Sequence, residues 1–444
     1  MGLFLGLDIG TTKDAAAVID GATAKCLAAA DVTHGAGHGT GLQNVARHLE
    51  AVREAVTALP AELRRQICGI GVSTQMHGVV CWNERTMETS PLHSWQSRVD
   101  DLEALRKLPG CRRLRHGFGG ATLGMLARRG ELDKWTSCGT IGDYLVHLFT
   151  GCGAIIDRSD AASWGLMEFD ASEFDREAVA ALGIPEGMLP RVLPVGATAG
   201  TLRAEWSDKL GIPEAVEVRV SIGDNQASVL AAVRDPERDI SLTLGTGAQI
   251  SVVVPNREAA RWRDRVELRP YLGDTALAVG APLCGGAGWA ALEKFLKSAF
   301  AAAGSGIGDD ALYKMLNETA MRELEADNLP NFRPSFLGER DDPAARGRID
   351  GLTVDNFDCG KVAAALARGL AENLRRMLPA EFTSGKSRLV VSGNGFRRNT
   401  ALCRAAELVF SLPLEKSAFT EEAACGAALL LRHTKSDGGS RPVA

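Results

Sequence analysis

The chain has 444 residues, with 50 Lys plus Arg against 55 Asp plus Glu and a formal net charge of −5. Hydrophobic residues make up 45% and charged residues 24%, which excludes a disordered chain, and the mildly acidic balance argues against sequence-independent nucleic-acid binding, which needs a basic face. The 49 Gly and an aromatic content of 5% suit a metabolite enzyme with many tight turns better than a stacking-based single-strand binder.

Residues 3–20 read as a strand, a tight turn at Gly10-Thr11-Thr12, and a second strand through Val18 and Ile19. Residues 44–59 space Val45, Leu49, Val52 and Val56 along one helical face. A buried strand follows at Ile70-Gly71-Val72-Ser73, then the polar loop Gln75-Met76-His77-Gly78. Another strand, 218–222, leads through Gly223-Asp224-Asn225-Gln226 into a predicted helix over 227–233. The charged, Pro-containing stretch at 234–237 marks a boundary. Beyond it, 240–254 repeats the strand–Gly–strand plan around Leu244-Gly245-Thr246-Gly247. Predicted helices cover 289–300, with Leu292, Phe295 and Leu296 on one face, 362–378, with Leu366, Leu370, Leu374 and Leu378, and 421–431. A strand at 389–391 runs into Ser392-Gly393-Asn394-Gly395. The two halves therefore read as two copies of one α/β plan, 1–234 and 235–434, followed by a flexible tail, 435–444.

Several motifs are absent. Gly385-Lys386-Ser387 lacks the leading Gly of a phosphate-binding Walker loop, since residue 380 is Ala, and Thr74 stands where a dinucleotide fingerprint needs its third Gly. His34 and His38 are four apart, but His-Gly-Ala-Gly-His does not hold a helix, so a metal site there is not expected. The 10 Cys form no CxxC pair and read as reduced, mostly buried thiols. With no basic leader and no run of about 18 apolar residues, the reading is a cytoplasmic protein with no membrane partner.

The chemistry-bearing residues sit at the strand ends. At Asp8-Ile9-Gly10-Thr11-Thr12, turn amides and hydroxyls can hold a phosphoryl group while Asp8 holds Mg²⁺ through water; an ordinary hairpin is the alternative. Gly245 and Thr246 offer the same in the second half. Asp224, at a strand end before a helix, can accept a hydroxyl proton as the nucleophile attacks phosphorus, or can serve only as a helix N-cap. Gln75 and His77 can read a polyol, or form a satisfied polar loop, and Trp95-Gln96-Ser97-Arg98 has the same character. Gly393, Asn394 and Asn399 can receive a purine and ribose, against a plain Gly turn into a helix.

Taken in order, Asp8 to Thr12, Ser73 to Gly78, Gly223-Asp224-Asn225, Leu244-Gly245-Thr246 and Ser392 to Gly395 resemble the FGGY carbohydrate kinases. Further segments resemble the members acting on sedoheptulose, with those acting on D-xylulose next: Gly117-Phe118-Gly119-Gly120, Ala162-Ser163-Trp164-Gly165 and Phe336-Leu337-Gly338-Glu339-Arg340. The resemblance implies two actin/hexokinase-type (ribonuclease H-like) α/β domains with a central cleft, and transfer of phosphate from MgATP to a terminal ketose hydroxyl. Carried over, Asp224 is the catalytic base and Asp8 places Mg²⁺. Met76, His77 and Asn225 contact sugar, with Trp95 and Arg98 as further candidates. Thr11, Thr12, Gly245 and Thr246 approach the phosphates, and Gly393, Asn394 and Asn399 the adenosine. The expected partners are a small-molecule sugar and ATP, with no nucleic acid; a homodimer is compatible with the reading. Two departures stand out: Ala15 occupies a position that is commonly basic in the family, with Lys13 two residues earlier, and Thr74 stands where Gly is common.

Overall fold

A computed structural model describes residues 2–37, 41–245, 247–263, 265–339, 342 and 344–433. The expectations for His38, for Thr246 and for the tail 435–444 lie outside the described residues. Chain contacts divide the protein into two units. The first runs to Ala231 and takes in Arg269–Ala276 and the chain from Glu421; the second holds Ala232–Leu268 and Leu277–Thr420. The linear division expected at 234/235 differs from this grouping at both of the returning segments.

The first unit is built on a seven-stranded sheet. Its first strand, β1 (Leu3–Ile9), is buried along nearly its whole length, as its unbroken apolar run requires of a central strand. β1 pairs antiparallel with β2 (Lys13–Asp20), which pairs antiparallel with β3 (Cys26–Thr33). Helix α1 (Val45–Ala58) starts where the Asn44 side chain accepts from the Arg47 amide, and buries Val45, His48, Val52 and Val56. On the other side, β1 pairs parallel with β4 (Ile67–Thr74). The chain then forms α2 (Gly119–Arg128), α3 (Ile141–Thr150), capped by a reciprocal Thr140–Asp143 box, and the short α4 (Arg158–Ser163). It re-enters the sheet as β5 (Thr198–Thr201), β6 (Glu217–Arg219) and β7 (Ile222–Gly223), and leaves it in α5 (Asp224–Ala232). The order is β5-β6-β4-β1-β2-β3, with β7 also on β4. Leu5, Leu7, Ile70, Val72, Trp82, Phe149 and Val218 form its core.

The second unit repeats the plan. β8 (Asp239–Leu244) and β9 (Ala248–Pro255) make an antiparallel hairpin. β10 (Glu267–Pro270) and β11 (Thr275–Gly280) extend the sheet on that side. After α6 (Gly286–Ala302) and α7 (Cys359–Arg376), β12 (Arg388–Ser392) pairs parallel with β8. Helices α8 (Gly393–Arg398) and α9 (Thr400–Phe410) then lead to β13 (Leu414–Lys416), parallel to β12. The order β10-β11-β9-β8-β12-β13 places the β8 hairpin as the first sheet places the β1 hairpin. The duplication expected from sequence is therefore present in the strand topology.

Helix α10 (Glu422–His433) belongs with the first unit and docks on its sheet, backbone against backbone. A Cβ on Gly6 would lie 1.8 Å from the Ala424 carbonyl oxygen, and one on Gly71 1.9 Å from that of Ala427. Two differences from the expected helices concern function. The helix after Gly223 begins at Asp224 itself and not at residue 227. The expected apolar face of α6 is not buried: Phe295 is 64% exposed, because the helix buries only Gly288 and Trp289 near its start. No helix among the described residues is long and apolar enough to cross a membrane. Six of the ten cysteines are buried and all are free thiols.

Candidate functional site

In the first unit three parallel strands end side by side. Asp8 and Ile9 of β1 align with Ser73 and Thr74 of β4, which align in turn with Ile222 and Gly223 of β7. Ligands of α/β sheets bind beyond such carboxyl ends. Residues 10–12, 75–77 and 224–225 lie there, so the structure brings together the candidates Asp8, Thr11, Thr12, Met76, His77, Asp224 and Asn225.

Two half-buried carboxyl groups dominate the electrostatics. Asp8 accepts the Ser73 hydroxyl at 2.8 Å. Burial, and then the charge of Asp224, push Asp8 up to about 7. Burial also raises Asp224, while the Arg269 guanidinium opposes the shift and favours its carboxylate. Arg269 is itself buried, and its Nη1 donates to Asn225 Oδ1 at 3.1 Å and to Met76 Sδ at 3.5 Å. The Asn225 amide donates to Asp224 Oδ1 at 2.7 Å, and Asp224 is the first residue of α5.

His77 is held from three directions. Its backbone is left-handed, with φ 73°, an uncommon conformation for a residue with a Cβ. Its amide donates to Ser163 Oγ at 3.1 Å and its Nδ1 to the Ser163 carbonyl at 2.8 Å, so in the neutral ring Nε2 is an acceptor. Its ring stacks on Phe118 at 4.5 Å and 4°. The same short helix, α4, also holds the Gly223-Asp224 segment: Ser159 Oγ donates to Asp157 and accepts the Gly223 amide at 3.1 Å.

The weaker sugar candidates separate. Trp95 Nε1 donates to Thr11 Oγ1 at 2.8 Å and so joins the Gly10-Thr11 turn. Arg98 is exposed, and no hydrogen bond or ion pair ties it to the cluster among the described residues. Lys13 is paired with Glu421 at 2.7 Å and faces Asp31 at 3.7 Å.

The nucleotide candidates lie in the second unit. Gly245 is exposed at the end of β8, and its carbonyl accepts the Gly286 amide at 2.9 Å, which sets the start of α6 on that turn. Gly393 opens α8 at φ 82°, where a Cβ would lie 2.6 Å from the Leu244 carbonyl oxygen. Thr243 and Ser392 hydroxyls meet at 2.8 Å, so the Gly245 and Gly393 turns are neighbours. Asn394 is exposed beside them. Asn399 is fully buried; its Oδ1 accepts from the Leu402 amide, capping α9, while its Nδ2 has no hydrogen-bond partner among the described residues.

Arg269, Ser159 and Ser163 are the residues that sequence reasoning missed. Ser163 lies in a segment singled out for its resemblance. Arg269 carries no local signal, because its partners are 44 and 193 residues away. One group with the composition of a metal site exists among the described residues: single donor atoms of Asp14, His34 and His48 lie within 4.8 Å of one another. It pairs His34 with residues other than His38.

Comparison with known proteins bears on the whole chain. A family model described as "FGGY family of carbohydrate kinases, N-terminal domain" matches residues 3–104 and 127–231. A human sedoheptulokinase is 30% identical over 468 aligned positions, covering 96% of this chain and 96% of that protein. A xylulose kinase of Streptomyces coelicolor is 28% identical over 58% of this chain and 55% of its own length. The crystal structure of a xylulose kinase from Rhodospirillum rubrum has the same fold, with a TM-score of 0.83 over 99% of this chain and 91% of that one at 22% identity.

Proposed function

Because the chain belongs to the FGGY family of carbohydrate kinases, which use ATP, we propose that it phosphorylates the terminal hydroxyl of sedoheptulose to give sedoheptulose 7-phosphate. The observation that carries this reading is the meeting of Asp8, Met76, His77 and Asp224 at the ends of adjacent strands in a chain 30% identical to a sedoheptulokinase over 96% of its length.

Asp224 takes the hydroxyl proton as the sugar oxygen attacks the γ-phosphorus, and the bond to the bridging oxygen of the β-phosphate breaks to release ADP. Arg269 favours the carboxylate form of Asp224 and aims the Asn225 side chain. His77 Nε2 and Asn225 read sugar hydroxyls, and Met76 forms an apolar wall. Thr11 and Thr12 approach the phosphates, and Gly245, Thr246, Gly393 and Asn394 serve the nucleotide. The residues fit Mg²⁺: a half-buried Asp8 carboxyl, held by Ser73 and repelled by Asp224, is relieved by a divalent cation. Mg²⁺ supplies neutralisation of phosphate charge there.

D-Xylulose is the second reading, favoured by the Met76-His77 and Asp224-Asn225 pairs, which resemble those of xylulose kinases. ADP release measured with sedoheptulose, D-xylulose, D-ribulose, L-ribulose and glycerol decides. The largest kcat/KM is expected for sedoheptulose. A preference for xylulose selects the second reading, and no ketose-dependent ADP at all defeats both.

A further inference from the structure

The Gly10-Thr11 turn is gripped from behind by polar side chains that the reaction does not use. Asp14 is fully buried; its Oδ1 accepts the Gly10 amide at 3.1 Å, and its Oδ2 lies 3.1 Å from His48 Nδ1. His48, also buried, turns Nε2 to Gln43 Oε1 at 3.2 Å. Gln43 Nε2 donates to the Thr11 carbonyl at 2.8 Å, and Gln43 Oε1 also accepts Gln75 Nε2 at 2.9 Å. Gln75 Nε2 reaches the Gly10 carbonyl at 3.1 Å, and His34 Nε2 lies 3.3 Å from the same oxygen.

The proton positions follow from the acceptors. The Thr11 carbonyl only accepts, so the nitrogen of the Gln43 amide faces it, and Gln43 Oε1 then requires a proton on His48 Nε2. Asp14 and His48 Nδ1 share one further proton, and the pair is net neutral whichever of them holds it. The Ala36 amide donates to His34 Nδ1 at 3.0 Å, which places the neutral ring's proton on Nε2, toward the Gly10 carbonyl. Both nitrogens of each ring in the Asp14–His34–His48 group are thus engaged in hydrogen bonds within the support.

We infer that Asp14, His48 and Gln43 are positioning residues that hold the Gly10-Thr11 backbone in the shape that meets the phosphates of ATP, with Gln75 joining this support to the sugar loop. The inference rests on the assignment of this turn to phosphate. The support costs nothing in net buried charge, and each member fills a polar group that would otherwise be orphaned in the interior.

Asp14→Ala and Gln43→Ala remove contacts to the turn, whereas Asp14→Asn keeps an acceptor for Gly10 and a donor for His48. The expected result is a rise of about ten-fold in the KM for MgATP in both alanine variants, with the sedoheptulose KM within about two-fold of the parent and Asp14→Asn near the parent. Amide hydrogen exchange at residues 10–13 is expected to speed up in the alanine variants alone. Proportional changes in both KM values, unchanged exchange, or an Asp14→Asn variant as impaired as Asp14→Ala would overturn the inference. If Asp14→Ala does not fold, Gln43→Ala reads the same support through Thr11. A parent protein without ketose kinase activity defeats the proposed function instead, and the exchange measurement, which needs no turnover, still decides whether the support exists.

Discussion

Arg269 Nη1 donates to Asn225 Oδ1 at 3.1 Å from a buried position beside the proposed base. Its guanidinium opposes the upward push of burial on Asp224. Removing that charge in Arg269→Met raises the pKa of Asp224 further. The base works as a carboxylate, so activity falls as pH drops through its pKa. The acid limb of kcat/KM is therefore expected to move to higher pH in Arg269→Met and back toward the parent in Arg269→Lys. A pH–rate profile from about 5 to 9 checks this, and coincident acid limbs would reject the role.

Asp224→Asn keeps the size and most of the hydrogen bonding of the side chain but cannot take a proton. A loss of about 10²–10⁴-fold in kcat is expected, with MgADP affinity by titration calorimetry close to the parent. Near-parent turnover would remove Asp224 from the base position.

Gly393→Ala places a Cβ 2.6 Å from the Leu244 carbonyl oxygen, at a left-handed backbone angle. The start of α8 has to shift, and with it the turn beside Gly245. The expected outcome is a several-fold higher KM for ATP with the ketose KM unchanged, read from steady-state kinetics with each substrate varied in turn. A rise confined to the ketose KM would place this turn with the sugar.

Gly6→Ala tests the fold rather than the chemistry. Its Cβ would stand 1.8 Å from the Ala424 carbonyl oxygen, a backbone atom that cannot swing aside. A loss of about 1–3 kcal/mol or more is expected, seen as a melting temperature lower by several degrees. An unchanged melting temperature would mean that α10 is docked more loosely than described.

The strand ends were the legible part of the site. Asp8 follows an apolar run and precedes a Gly turn, Asp224 follows one and opens a helix, and those local patterns are enough to place them at the carboxyl edge of a sheet. The repeat of the hairpin at Leu244-Gly245 is legible for the same reason. Arg269 is not, because a buried Arg is recognised only by what it meets in space. His48 carries no sequence signal either, because only the approach of Asp14 and Gln43 engages its two ring nitrogens. That Asn399 also caps a helix is not legible, because an exposed Asn after a Gly turn and a helix-capping Asn look alike in sequence. The glycine excess divides as well. Gly10, Gly245 and Gly393 lie at turns, whereas Gly6 and Gly71 lie in mid-strand, where a helix backbone presses on the sheet.

That last contact ties the order of synthesis to the completion of the fold. The face of β1 and β4 that carries Gly6 and Gly71 is closed by Ala424 and Ala427, which leave the ribosome more than 350 residues later. In the sequence, that closing helix follows the whole of the second unit's chain. A chain ending before residue 421 would hold every residue of the proposed base, sugar loop and phosphate turn, but would lack the helix that closes their sheet and the Glu421 partner of Lys13. The sheet that carries the proposed sugar residues is therefore completed by chain that follows the proposed nucleotide residues in the sequence.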